Sequence, residues 1–352
     1  MVASASLNRI RDKNQNNPRS TNGSAKSLES DLARTAPGLL RALNLSSIPL
    51  SSTVDITQDE AEKRHAVDKQ KWGFSFFDIF KPKTAFNKLV NKILYQFQKS
   101  HRSDFDSEFR KVLQEGIPLE KHLVKTSDNH SVELWFAKHQ NTEAKTKIYF
   151  HGNASNIATL KKLAVEDYQK GFNVCLFSYR AYSGNHGYPS EAGLIDDTNS
   201  VINFLKSKQG LRTEDLDLEA HSLGCAVLLN TLAQRVTQNP QESFGNILLM
   251  SPFKSMGDII KAKTKIIPKS LINLLTNTWN NHEAISKLKD KVKHIKIMHG
   301  KNDQVIPIQD SRDLYKQAQS YSISSELIEL ENIGHNDIKR GRVGHYLRSS
   351  KF

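Results

Sequence analysis

Cysteine is almost missing from this chain. Its 352 residues contain two, Cys175 and Cys225, both in apolar surroundings. A pair cannot build a disulfide framework, so a reducing compartment is expected. Long hydrophobic runs are missing too: none approaches the roughly 18–20 residues that span a bilayer. The first thirty residues are polar and mixed in charge, without the apolar stretch of a secretory signal. A cytoplasmic protein is expected, at most peripheral to a membrane. There is no Gly-rich phosphate loop followed by Lys and Ser/Thr, no Cys/His zinc spacing and no dinucleotide fingerprint, so neither metal nor nucleotide cofactor is implied.

Charge is present in excess of one sign, and unevenly. The formal net charge is +13. Residues 1–122 hold 20 Lys/Arg against 14 Asp/Glu, and residues 254–296 hold 10 Lys against 3 acids, while the remainder is neutral. The basic stretch Lys254–Lys296 has Lys but no Arg and adjoins no nucleic-acid module, which disfavours nucleic acid; an anionic membrane surface or anionic ligand suits it better. Residues 1–60, rich in Ser, Asn, Thr and Arg, read as a mostly disordered basic leader. Residues 61–122 read as an N-terminal helical extension. There Phe86, Leu89, Val90, Ile93, Leu94 and Phe97 share one helix face, with Lys88, Asn91, Lys92 and Lys99 elsewhere. That helix either packs on the following domain or lies on a membrane surface.

From residue 123 to the end, strands and helices alternate. His122–Lys125 and Val132–Lys138, separated by Ser127-Asp128-Asn129, read as an antiparallel hairpin. Six more strands follow at Lys147–Phe150, Phe172–Ser178, Leu216–Glu219, Ile247–Met250, Ile295–Met298 and Glu326–Glu329, interleaved with helices such as Pro189–Lys208, Gly224–Thr237 and Ile308–Ser320. This pattern predicts a mainly parallel eight-stranded sheet flanked by helices, with ligands beyond the carboxyl ends of its strands.

Reactive residues fall at those ends. Ala220-His221-Ser222-Leu223-Gly224 lies between a strand and a helix, where a tight turn would project the Ser222 hydroxyl above the sheet. A serine needs a base to remove its proton as it attacks. Among 13 histidines, His221 is set aside because its side chain should diverge from that of Ser222, and His186 and His282 because no strand precedes them. His335 follows the last strand, in Asn332-Ile333-Gly334-His335. Asp303 follows the strand before it, in His299-Gly300-Lys301-Asn302-Asp303, and is assigned the carboxylate that fixes the imidazole tautomer. The developing oxyanion needs two backbone donors. The N–H of Leu223 and, beyond Gly152, the N–H of Asn153 are assigned that part.

Taken together, His151-Gly152-Asn153-Ala154, Tyr179-Arg180-Ala181-Tyr182-Ser183-Gly184, Pro189 to Asp197, His221-Ser222-Leu223-Gly224, Ser251-Pro252-Phe253, Thr278-Trp279 and His299 to Asp303 resemble one branch of the α/β hydrolases. It is the branch of membrane-associated α/β-hydrolase-domain proteins that includes palmitoyl-protein thioesterases. The resemblance spans about 123–340. It implies an α/β-hydrolase fold and esterase, thioesterase or lipase-like activity without cofactor. Three positions depart from it: Ala220, Cys225 and Ala181 stand where the family usually has Gly. Lys254–Lys296 falls where this fold commonly inserts a lid. With Lys261, Lys263, Lys265 and Lys269 among Ile266, Ile267, Leu271, Ile272, Leu274 and Leu275, it suits delivery of an acyl ester or thioester from an anionic surface. A serine peptidase, or a silent hydrolase fold used as a binding scaffold, are the alternatives.

Overall fold

The computed structural model describes residues 91, 94–95, 102–153, 155–263 and 278–339. The expected leader, all but three residues of the Phe86–Phe97 helix, and residues 264–277 of the Lys-rich insertion lie outside the described residues.

Helix α1 (Arg102–Gln114) precedes the sheet. Its Phe105, Phe109 and Val112, spaced at i, i+4 and i+7, turn one face inward, and the Phe109 ring meets Trp135 edge-on at 5.1 Å. The strands are β1 (Leu119–Lys125), β2 (Ser131–Ala137), β3 (Thr146–Phe150), β4 (Asn173–Phe177), β5 (Leu216–His221), β6 (Phe244–Met250), β7 (Val292–Gly300) and β8 (Ser325–Leu330). All eight predicted strands are there. They form one sheet in the order β1-β2-β4-β3-β5-β6-β7-β8. β1 and β2 pair antiparallel, as do β2 and β4, and the other pairs are parallel. The chain is an α/β-hydrolase fold.

Buried strand residues divide between two layers with period two. In β4, Val174 and Leu176 face the layer built on α1 and α2 (Lys161–Gln169), while Cys175 and Phe177 face the other. That second layer is built on α3 (Glu191–Gln209), α4 (Leu223–Gln238), the short α6 (Asn281–Ser286) and α7 (Ile308–Ser320). Between β6 and α6 lies α5 (Met256–Lys263). The Ser190 hydroxyl caps α3 by accepting from the Gly193 N–H at 3.1 Å, and Gly210, at φ 69, ends it.

This topology dictates where a ligand would sit. From β3 the chain passes to β4 on one side, then returns to place β5 on the other. The sheet order therefore reverses between β3 and β5, and their carboxyl ends flank a crevice. Register aligns that edge: Phe150 pairs with Ala220, His221 with Met250, Met250 with Met298, and Gly300 with Leu330. Among the described residues no helix is long and apolar enough to cross a membrane. Of the described insertion lysines, Lys254 pairs with Asp313 at 3.3 Å, Lys287 with Glu283 at 3.1 Å and the buried Lys296 with Glu326 at 2.7 Å, so part of the basic excess is balanced locally.

Candidate active site

β5 runs straight into Ser222, whose N–H donates to the Met250 carbonyl at 2.9 Å, carrying the β6 ladder one residue past the strand. There the backbone reverses. Ser222 has φ 53 and ψ −117, and α4 starts at Leu223. A non-glycine residue in that region stores roughly 1–3 kcal/mol of strain. Tight packing beneath holds the turn: a Cβ on Gly224 would lie 2.2 Å from the Phe150 carbonyl oxygen, so only glycine fits there. Ala220 is fully buried. Cys225 is a buried core residue whose thiol reaches the Ala220 carbonyl at 3.3 Å.

Ser222, His335 and Asp303 come together in one hydrogen-bonded line. Ser222 Oγ lies 3.1 Å from His335 Nε2, and His335 Nδ1 lies 2.7 Å from Asp303 Oδ2. The Asp303 side chain is fully buried; its Oδ1 accepts from the N–H groups of Val305 at 2.8 Å and Ile306 at 2.9 Å. Burial alone would push this carboxyl upward. Donors from His299, His335 and the Ile306 N–H outweigh it and hold Asp303 well below the usual carboxylate range. The acid is thus an acceptor ringed by donors, the state that keeps a proton on His335 Nδ1 and leaves Nε2 to accept from Ser222.

Two further histidines buttress this line, and local sequence did not reveal their parts. His299 is fully buried. Its Nε2 faces the Ile306 carbonyl at 3.0 Å and Asp303 Oδ2 at 3.3 Å, and its Nδ1 faces Ser311 Oγ at 2.6 Å. With two acceptors before it, Nε2 carries the proton and Nδ1 accepts from Ser311. The signal was its position four residues before Asp303 at the same strand end. His221, set aside as a base, supports the base instead. Its Nε2 meets the His335 carbonyl at 2.9 Å, and the two rings lie 4.9 Å apart.

The loop after β3 lies against the nucleophile. A Cβ on Gly152 would fall 2.8 Å from His221 Nδ1 and 3.4 Å from Ser222 Cβ, so the chain reaches the serine here because this residue has no side chain. Asn153 follows, its side chain bonded to the Tyr182 hydroxyl and the Leu94 carbonyl. Leu223 supplies the first N–H of α4, whose opening turn has no intrahelical partners for its donors. Arg180, 4% exposed, fixes the neighbouring loop. Its Nε and Nη2 reach Asp197 Oδ1 at 3.0 and 2.8 Å, its Nη1 reaches Asp128 at 2.6 Å, and its own N–H donates to Asp197 Oδ2 at 2.7 Å. Beside this clamp Ala181 has φ 68 and Ser183 φ 52, a left-handed conformation that glycine adopts far more readily. Among the described residues no cluster of three or more His, Cys, Asp or Glu could hold a metal ion.

No family model matches the chain. It is 30% identical over 210 residues to YfhR, an uncharacterized protein of Escherichia coli O157:H7, covering 58% of this chain and 70% of the relative. It is 24% identical over 227 residues to the alpha/beta hydrolase domain-containing protein WAV2 of Arabidopsis thaliana, covering 61% and 71% respectively. Among solved structures it is similar to the esterase Pf2001 of Pyrococcus furiosus, with a TM-score of 0.55 at 17% identity, over 67% of this chain and 90% of the esterase.

Proposed function

This chain belongs to the α/β-hydrolase superfamily, in one family with YfhR, and on that premise we propose that it is a serine hydrolase cleaving acyl esters or thioesters through an acyl-Ser222 intermediate. The observation that carries this reading is the line from Ser222 Oγ to His335 Nε2 at 3.1 Å and on from Nδ1 to Asp303 at 2.7 Å. In the first half-reaction Ser222 Oγ attacks the acyl carbon while His335 Nε2 takes its proton. The tetrahedral oxyanion sits against the N–H groups of Leu223 and Asn153. Collapse breaks the bond to the leaving alkoxide or thiolate, which receives the proton from His335. Water then repeats the sequence on the acyl-serine and frees the acid. Asp303, held ionised by the donors around it, stabilises the imidazolium each time it forms.

The finer reading places the acyl group on a lipid or a lipidated protein at an anionic surface, supported by the lysines and aliphatic residues of 254–296, with 61–122 as a helical extension of the 123–352 hydrolase domain. A fluorophosphonate probe tests the reaction class: labelling of wild type, lost in Ser222→Ala, is expected. Folded wild type that stays unlabelled would favour a binding scaffold. A p-nitrophenyl ester series beside peptide amides separates esterase from peptidase. Lys261→Glu with Lys265→Glu should then depress hydrolysis on anionic vesicles far more than on a soluble ester, and equal effects on both would remove the surface role.

A further inference from the structure

A two-residue stretch far upstream of the sheet reaches into the candidate site. The Leu94 carbonyl accepts from Asn153 Nδ2 at 2.6 Å, and Asn153 Oδ1 accepts from the Tyr182 hydroxyl at 2.9 Å. Both ends of the Asn153 amide are therefore held. Neither holder is loose. Tyr182 is 1% exposed and stands two residues beyond Arg180, which is locked to Asp197 and Asp128. Leu94 is followed by Tyr95, which is 2% exposed within the main core. The Tyr95 hydroxyl accepts from Trp279 Nε1 at 3.0 Å, and the Trp279 N–H donates in turn to Glu191 Oε2 at 2.9 Å on the first residue of α3. A side chain fixed at both ends fixes its own χ angles, and through them the backbone it stems from. Asn153 lies past the end of β3, where no strand ladder continues to hold the loop. A restraint from the side chain adds there to the bonds from the Tyr179 hydroxyl to the His151 carbonyl at 3.2 Å and from the Ser155 N–H to the Gly152 carbonyl at 3.3 Å.

We propose that Leu94–Tyr95 is a latch on the oxyanion loop, and that the Asn153 side chain is its positioning residue, aiming the Asn153 N–H at the developing oxyanion. The proposal rests on the hydrolase reading and adds to it. The region before the hydrolase sheet becomes part of the rate-setting apparatus rather than a passive extension. Whatever displaces Leu94 loosens a donor that acts in the transition state.

The test uses the full chain and a soluble p-nitrophenyl ester. It compares kcat, KM and the rate of fluorophosphonate labelling in wild type, Asn153→Ala, Tyr182→Phe, Tyr95→Phe and the Asn153→Ala/Tyr182→Phe double variant. Asn153→Ala keeps the backbone donor but frees it. Misplacing a catalytic group by about 1 Å costs on the order of a hundredfold, and losing an oxyanion donor outright about 100- to 1,000-fold. A fall in kcat of roughly ten- to a hundredfold is therefore expected, with KM within about twofold because the ground-state carbonyl is bound as before. Tyr182→Phe and Tyr95→Phe should lower kcat in the same pattern by a few-fold. The double variant should match Asn153→Ala alone, since both changes release one restraint. A contact that serves only folding would lower Tm and leave kcat in place. Reactive wild type with folded variants whose kcat stays within twofold, or whose KM alone moves, would overturn the latch while sparing the hydrolase reading. Unreactive wild type would overturn both.

Discussion

Asp303→Asn separates the chemistry of the site from its shape. The wild-type carboxylate accepts three hydrogen bonds, Oδ1 from the Val305 and Ile306 N–H groups at 2.8 and 2.9 Å and Oδ2 from His335 Nδ1 at 2.7 Å, and His299 Nε2 faces Oδ2 at 3.3 Å. Asparagine has the same outline but only one acceptor oxygen. The two backbone donors cannot turn away, so they claim that oxygen, and the new NH2 faces two ring N–H groups. His335 relieves the clash by shifting its proton to Nε2, which then points a donor at Ser222 Oγ. The base is lost without loss of packing. A wrong tautomer of this kind costs about 10,000-fold in kcat, or about 5.5 kcal/mol at 1.36 kcal/mol per tenfold. Hydrolysis of a p-nitrophenyl ester at pH 7–8 measures it, with KM expected to change little. Stability supplies a second readout. Because Asp303 titrates below its unfolded value, it contributes stability above the unfolded carboxylate range and loses it as pH falls toward the lower folded value. The asparagine variant should lose that contribution at neutral pH and show a shallower acid limb in a pH series of thermal melts. A kcat within tenfold of wild type would refute the assignment of Asp303.

Three other outcomes follow from the same geometry. Arg180→Ala strands the fully buried Asp197 without its partner, which costs about 3–5 kcal/mol; at about 2–4 °C per kcal/mol, Tm should fall by roughly 6–20 °C, and a fall below about 3 °C would mean that the clamp does not hold this loop. Gly224→Ala sets a Cβ 2.2 Å from the Phe150 carbonyl oxygen, a backbone atom with no flexible end to yield, so the turn at Ser222 must shift and probe labelling should slow by tenfold or more; unchanged labelling would show that the turn tolerates a side chain. Burial raises Glu191 despite the donors from Trp279 and Thr278, so the folded state binds its proton more tightly than the unfolded chain and stability falls as pH rises from about 4.3 through the raised value. Glu191→Gln should therefore lose less stability than wild type between about pH 4 and 7, and parallel curves would contradict that sign.

The central strands are legible because both faces of the sheet are covered, which leaves near-continuous apolar runs, and strand ends are misread where that burial fades. β7 was expected over Ile295–Met298 but spans Val292–Gly300, its ladder continuing through Lys293 and His294 where burial fades. β1 starts at Leu119, not His122, because Glu120 and Lys121 sit on an edge strand in the pattern of a loop. Helix α2 has a weak sequence signal: Ala164 and Val165 are its chief buried apolar residues, and Asp167 is tied instead to Lys147, Tyr149 and Lys170. At the site, Ser222, Asp303 and His335 were legible because each follows a strand in a fixed chain order. His299 bonding to Ser311, His221 supporting His335, and Leu94 holding Asn153 were not. Each is a pairing across 12 to 114 residues, encoded by the fold; only the place of His299 four residues before Asp303 left a local trace.

Backbone strain marks the same place independently of side-chain chemistry. Nine non-glycine residues among those described have positive φ. Asp290 and Ser322 precede β7 and β8 at the opposite edge, Asn129 closes the β1–β2 hairpin, and Asn129 and Asp290 are residue types that tolerate the left-handed region. The remaining six, Ala181, Ser183, Ser222, Ser251, Trp279 and Asn332, fall in segments after β4, β5, β6 and β8, and most are poorly suited to it. An alanine or a tryptophan in that conformation persists only where surrounding contacts over-determine it. Those contacts are present: the Arg180 clamp beside Ala181, the Tyr95 and Glu191 bonds to Trp279, and the Phe150 carbonyl packed under the turn at Ser222. A sheet needs none of this strain to be stable. Its concentration along the edge where a hydroxyl, an imidazole and a carboxylate already meet supports the proposed reading of that edge as a preorganised reaction site.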